Sequence, residues 1–399
     1  MDRFWLKNYP QGVPADIDPS RYKSLIQLFD EAFKKYSGQG AYSFMGAEMT
    51  FGQLDQNSAA IGAWLQSKGF AKGTRVAIMM PNVLQYPAAM AGVLRAGYTV
   101  VNVNPLYTPR ELEHQLKDSG AEAIFVLENF ATTLEQVIDK VPTKTVVVCA
   151  MGDMLPFPKS LIVNFVVRNV KKMVPEFSLP NARRWNDVLA DGMKMNLKQV
   201  ECSHGDVAFL QYTGGTTGVS KGATLTHKNV IANMLQAEAW YQPALAKLKP
   251  GEQMITVTAL PLYHIFALTC CALLSMRTGG KNLLIPNPRD IPAFVKELGK
   301  HKFGVFPAVN TLFNGLLNNE DFTKLDFKSL ILSLGGGMAV QKAVAEKWLK
   351  ITGTPICEAY GLSETSPGAT CNPTDTTKYT GSIGLPMPST DIAILDDDG

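Results

Sequence analysis

Charge is scarce in this chain. Of 399 residues only 18% are Asp, Glu, Lys or Arg, and the formal net charge is +3. Nucleic-acid-binding domains usually carry a concentrated basic field, so no nucleic acid is expected as a partner. Paired cysteines are missing too. The six (Cys149, Cys202, Cys270, Cys271, Cys357, Cys371) form no C-x-x-C and no zinc spacing. Most sit in apolar surroundings, which fits a reducing compartment and thiols used for packing. No run reaches the roughly 18 uninterrupted apolar residues of a membrane span. Residues 1–8 lack the apolar run of a signal peptide. The expectation is a cytoplasmic protein, with contact at a membrane surface left open. What is plentiful is apolar: 46% hydrophobic residues, enough for a large core and more chain than one ordinary domain needs.

Residues 212–222 read Tyr-Thr-Gly-Gly-Thr-Thr-Gly-Val-Ser-Lys-Gly. A strand-like run, Asp206 to Tyr212, precedes them, and Ala223 to Thr226 reads as another strand before a helix capped at Thr226. Small residues let backbone N–H groups approach an anion, hydroxyls add donors, and Lys221 adds positive charge. Such a turn is a phosphate cradle, or else a flexible glycine turn. The mononucleotide P-loop, and with it a mononucleotide-type ATPase, is disfavoured, because it needs Gly before the Lys and Ser or Thr after it. Here Ser220 precedes Lys221 and Gly222 follows.

Along the chain, helical rhythm at Leu25–Tyr36 is followed by a hairpin-like strand and a capping box at Thr50–Gln53 that starts a helix running to Gly69. Strands are expected at 75–80, 98–103, 123–127 and 145–149, with a helix over 81–97 despite Pro87. A second capping box, Thr108 to Glu111, has Pro109 at the first helical position. A second alternation follows the glycine turn, with strands at 254–258, 283–285, 303–306 and 330–334. Helices are expected at 263–277, 290–299, 308–319 and 338–352. Alternation of this kind specifies mainly parallel sheets with helices on both faces. The boundaries read as 1–200 for a first α/β subdomain, 201–380 for a second carrying the glycine turn, and 381–399 for the start of a β-barrel.

Residues 151–185 break the rhythm. Prolines bracket Lys159–Val174, which holds four basic residues and no acidic one among many apolar ones. Two readings stand: a basic amphipathic element on an anionic membrane, or an insertion packed on its own domain. At the other end, Asp391–Leu395 alternates like a strand and Asp396–Gly399 reads as a hairpin turn without its second strand. That pattern is expected of a truncated chain.

Several long motifs together resemble the adenylate-forming enzymes: acyl-CoA synthetases, luciferases and peptide-synthetase adenylation domains. They are the glycine turn, 101–113, 259–268, 287–292, 360–365 and 381–386. Among these the resemblance is strongest to the bacterial long-chain fatty acid–CoA ligase family. It implies an α/β fold of two stacked, mainly parallel sheets with helices (αβαβα), part of a small β-barrel, and a C-terminal domain absent from these residues. It further implies binding of the ATP phosphates by Thr213, Gly214, Gly215, Thr216, Thr217, Gly218 and Lys221. Magnesium would fall to Glu364 with Thr213 as second oxygen donor. Adenine and the α-phosphate would meet Gly335, Gly336, Gly337, Glu358, Ala359, Tyr360, Gly361 and Ser363. The family usually has threonine where Ser363 stands; both offer a hydroxyl.

His264 lies inside the apolar motif 262–266. A lone histidine there is more often a satisfied core residue; the resemblance makes it an active-site wall beside the substrate carboxylate, grouped with Lys221 and Glu364 as catalytic. Phe266, Asn310, Phe313 and Gly336 would line the acyl site, although periodicity alone favours core for the helices that carry them. The expected activity is ATP-dependent conversion of a long-chain fatty acid to acyl-AMP and then, with CoA, to acyl-CoA. This stretch alone would bind ATP, magnesium and fatty acid but turn over weakly or not at all. The alternatives are a fatty acyl-AMP ligase delivering to a carrier protein, and a non-catalytic fatty-acid-binding module. Contact with the inner membrane and a homodimer are left open.

Overall fold

The computed structural model describes residues 2–213 and 220–396. Strands in the first half are β1 Gly40–Phe44, β2 Ala47–Thr50, β3 Arg75–Met79, β4 Thr99–Asn102, β5 Ala123–Leu127, β6 Thr145–Cys149 and β7 Arg183–Arg184. Then come β8 Val207–Thr213, β9 Lys221–Thr226, β10 Ile255–Thr258, β11 Lys281–Leu284 and β12 Val305–Ala308. β13 Leu332–Gly335, β14 Ile356–Gly361, β15 Gly368–Cys371 and β16 Leu385–Pro386 complete the set. They form two sheets, ordered β7-β6-β5-β3-β4-β8-β9 and β16-β15-β14-β13-β12-β10-β11-β1-β2. The inner pairs are parallel; β8–β9, β1–β2, β14–β15 and β15–β16 are antiparallel.

The sheets do not divide at residue 200. β8 pairs in parallel with β4, so the hairpin that carries the glycine turn belongs to the first sheet. β1 pairs with β11, so an early hairpin closes the edge of the second. Ladder partners, not chain order, decide membership. The strand expected at 391–395 has no ladder either: Ile394 is almost fully exposed, and the segment is tied down by Asp391, which accepts from Arg3 Nε at 2.7 Å. Period-2 alternation states which faces a strand would offer, but supplies no neighbour.

Alternation does decide the layers. In β3, Val76 and Ile78 point into a core shared by both sheets, while Ala77 and Met79 point to an outer core under Leu112 and Leu116. The second sheet likewise has two apolar faces, one around Phe306, Phe313 and Trp348, the other around Trp240, Leu332 and Leu334. This gives helix–sheet–helix–sheet–helix layers. The helices are α1 Leu25–Tyr36, α2 Phe51–Gln66, α3 Gln85–Arg95 and α4 Pro109–Ser119, followed by others named by range. Between the sheets α2 and α3 touch closely at two glycines: a Cβ on Gly62 would lie 2.9 Å from the Gly92 carbonyl. α3 starts at Gln85, later than expected, so Pro87 falls in the first turn where no intrahelical N–H bond is lost. Both capping boxes form, Thr50 with Gln53 and Thr108 with Glu111, with Pro109 opening α4.

Candidate functional site

β8 and β9 run in register so that Thr213 faces Lys221 at the mouth of the turn. Gly214, Gly215, Thr216, Thr217 and Gly218 lie outside the described residues. The two ends of the turn are held from below by α4. Tyr212 donates its hydroxyl to Asp118 at 2.5 Å, and burial followed by that carboxylate pushes the phenol pKa up. His114 Nε2 donates to the Ser220 carbonyl at 2.8 Å. Residues 114 and 118 are four apart and share one helix face. Gly222 is needed where it is: a Cβ there would come within 2.9 Å of the Tyr212 ring. Lys221 is exposed, with no ion-pair partner among the described residues.

At the carboxyl end of β14 the chain turns through a short 3-10 helix, Ser363–Thr365, that packs against β8 and β9. Glu364 is exposed beside the hairpin, with no side-chain partner among the described residues. The turn is rigid. Thr365 Oγ1 accepts from Leu362 N at 2.9 Å, and Ser366 N donates to the Ser363 carbonyl at 3.2 Å. Tyr360, 45% exposed, offers a free ring face. Gly361 is a packing requirement, since a Cβ would collide with the Pro367 carbonyl. Glu358 is buried, which raises its pKa. Its Oε2 accepts from Val340 N at 3.4 Å, while Oε1 has no partner.

The three glycines after β13 differ from one another. A Cβ on Gly335 would strike Val340 and Ile356; on Gly336 it would meet the Phe266 ring at 3.0 Å and the Ala359 carbonyl at 3.4 Å; Gly337 needs φ +76°. Gly336, Phe266 and Ala359 are therefore neighbours. His264 is exposed beside them in sequence. Its Nδ1 accepts from Phe266 N at 3.3 Å, and surrounding protein displaces enough water to hold its pKa below the usual imidazole value. A neutral ring with the proton on Nε2 follows. Asn310 and Phe313 are both buried. Asn310 Oδ1 accepts from Gln341 N at 3.0 Å, and Phe313 is wholly buried, edge-on to Trp348 at 4.6 Å between ring centroids.

The hairpin, the end of β14 and the His264 loop thus meet at the carboxyl ends of strands, where α/β sheets place ligands. A family model described as AMP-binding enzyme matches residues 29–399. The chain belongs to the AMP-binding enzyme family. Among curated relatives of this AMP-binding enzyme, proteins named long-chain-fatty-acid–CoA ligase are 56% identical in Yersinia pestis and 54% in Salmonella typhimurium. Both matches cover 100% of this chain and 70% of the relative. The protein of that name in Haemophilus influenzae is 50% identical. Solved structures agree on the fold. The anthranilate CoA ligase AuaEII superposes with TM-score 0.81 at 21% identity, over 96% of this chain and 68% of that one. A long-chain-fatty-acid-CoA ligase from Archaeoglobus fulgidus gives 0.75 at 24%, over 95% and 71%.

Motif reading of this AMP-binding enzyme missed what stands behind the site. Tyr86, fully buried, donates to Asn102 Oδ1 at 2.7 Å. Asn102 donates to Gln211 Oε1 at 2.9 Å, and Gln211 on β8 donates to the Tyr263 carbonyl at 2.5 Å. Asn82 adds bonds to the carbonyls of Thr258 and Leu260 at 2.8 and 2.9 Å, and accepts from Leu262 N at 2.8 Å. A buried polar chain therefore fastens the phosphate-loop strand to the His264 loop across two sheets. The only sequence signal was polar residues inside apolar strands. A separate cavity of about 400 Å³, lined by Lys72, Arg75, Thr99, Asp206 and His227, opens at the amino ends of β3, β4 and β8, away from this site.

Proposed function

We propose that this AMP-binding enzyme activates long-chain fatty acids with ATP, forming acyl-AMP and pyrophosphate, and then passes the acyl group to CoA. The observation that carries the reading is 50–56% identity, along the whole chain, to bacterial proteins named long-chain-fatty-acid–CoA ligase. In the first step a carboxylate oxygen attacks the α-phosphorus and the bond to pyrophosphate breaks. In the second the CoA thiol attacks the acyl carbonyl and AMP leaves. Two anions must meet, so the protein's work is positioning and neutralising charge.

Lys221 and the turn before it take the β- and γ-phosphates; the Tyr360 ring packs on adenine, and Ser363 bonds the α-phosphate. Gly336 and Phe266 border the acyl carboxylate, with neutral His264 as a wall that neither forms an ion pair with it nor protonates it at neutral pH. Thr213 and Glu364 would hold magnesium. That donor set fits, because magnesium keeps most of its waters and binds through one or two carboxylates plus substrate phosphates. When bound, the ion neutralises phosphate charge. A cytoplasmic location is the reading that ATP and CoA as co-substrates support.

Calorimetric titration with ATP–magnesium and with fatty acids of increasing length tests this. Both should bind saturably, with affinity rising as the acyl chain lengthens, and Lys221→Ala should weaken ATP binding roughly tenfold. Indifference to acyl length, or unchanged ATP binding in Lys221→Ala, contradicts it.

A further inference from the structure

The helix after β6 turns its apolar side outward. It runs Lys159–Phe165 and continues with wider turns over Val166–Val170. Val163 and Val167, four residues apart, are buried against the protein. Asn164 fixes the same face: its Oδ1 accepts from Gly152 N at 2.7 Å and its Nδ2 donates to Asp153 at 3.2 Å. Arg168 is held by two 2.8 Å bonds to the buried carboxylate of Glu128. What remains for solvent is Leu161, Ile162, Phe165 and Val170, each 58–64% exposed, with Phe157 at 81% on the approach.

A surface helix normally shows water its polar side. Single exposed apolar residues need no explanation, but a contiguous group of them marks an interaction surface. Within its own segment the charges have one sign. From Phe157 to Val174 there are four basic residues and no acidic one. Arg168 is spent on Glu128, and Lys159 Nζ donates to the Met45 carbonyl, which sets the exposed Met45 side chain beside the helix. Lys171 and Lys172 are exposed and have no ion-pair partner among the described residues. No helix among the described residues is long and apolar enough to cross a membrane.

We propose that this face docks the protein on a bilayer containing anionic phospholipids, with Phe157, Leu161, Ile162 and Phe165 entering the acyl boundary and Lys171 and Lys172 meeting headgroup phosphates. A short helix anchored by buried polar bonds on one side, apolar on the other and flanked by free lysines is the pattern of an in-plane interfacial helix. Basic charge favours an anionic lipid surface over a second copy of this chain, whose matching face would bring the same lysines together. The inference goes beyond the proposed reaction, and vesicle binding is measured without CoA or turnover.

The test is co-sedimentation of the full chain with phosphatidylcholine vesicles, with and without phosphatidylglycerol. The wild type should bind the anionic vesicles. Leu161→Asp/Phe165→Asp should lower partitioning roughly tenfold or more, and Lys171→Glu/Lys172→Glu should abolish the preference for anionic lipid. Phe4→Asp, an exposed aromatic elsewhere, should bind as the wild type does. Because every changed side chain is exposed, thermal melting and ATP binding should match the wild type, separating lost docking from lost folding. The proposal is overturned if the wild type ignores anionic vesicles, if both double variants bind normally, or if Leu161→Asp/Phe165→Asp dissociates a dimer without affecting vesicle binding.

Discussion

Phe313 and Gly361 show where motif reading and packing part company. Both belong to stretches singled out by family resemblance, and each is fixed by a contact no pattern encodes: Trp348 against Phe313, the Pro367 carbonyl against Gly361. Periodicity favoured core for the helix that carries Phe313, and only the family resemblance argued for an acyl liner. Phe313→Ala should cost about 3–5 kcal/mol in urea denaturation, through lost burial and the cavity left behind. Acyl-length preference should stay as it is. A changed preference with little loss of stability would make Phe313 a substrate contact after all. Tyr360, Ser363 and Glu364 lie in one compact motif, whose strand end and short 3-10 turn set them close together.

At the scale of elements, the capping boxes, the buried parallel strands and the two strands that flank the glycine turn were readable, since each depends on neighbours within a few residues. The support beneath the turn was not. His114 and Asp118 reach the hairpin from a helix about a hundred residues earlier, and an exposed helical His and Asp look like any solvated pair. Replacing both by Ala removes two bonds that hold Ser220 and Tyr212. That should lower ATP affinity by up to about thirtyfold, from roughly 1 kcal/mol per bond. Fatty-acid affinity should be unchanged in the same titrations. Equal loss of both would mean that α4 supports the general fold and not the turn.

For the molecule as a whole, two sheets and shared helices could be inferred from alternation, but the exchange of hairpins between halves could not. β8–β9 completes the first sheet and β1–β2 the second, so the expected boundary at residue 200 cuts both. His227, at the start of the helix that follows β9, joins the halves: its Nδ1 accepts from Leu25 N at 3.1 Å. Burial lowers its pKa to about 4. Above its ordinary value near 6.5, neither folded nor unfolded chain is protonated there. Below that value the unfolded chain takes up a proton the folded one resists, so stability falls with pH, by up to about 3 kcal/mol. Urea midpoints should drop between about pH 7 and about pH 5 in the wild type, and less steeply in His227→Gln.

The central claim is that the turn between Thr213 and Lys221 holds the phosphates of ATP while Glu364 faces their metal. A crystal structure with a non-hydrolysable ATP analogue and magnesium decides it most directly. The account predicts the triphosphate inside that turn, within reach of Lys221, the ion against Glu364 and the adenine on Tyr360. A nucleotide bound elsewhere, with the turn empty, would contradict it.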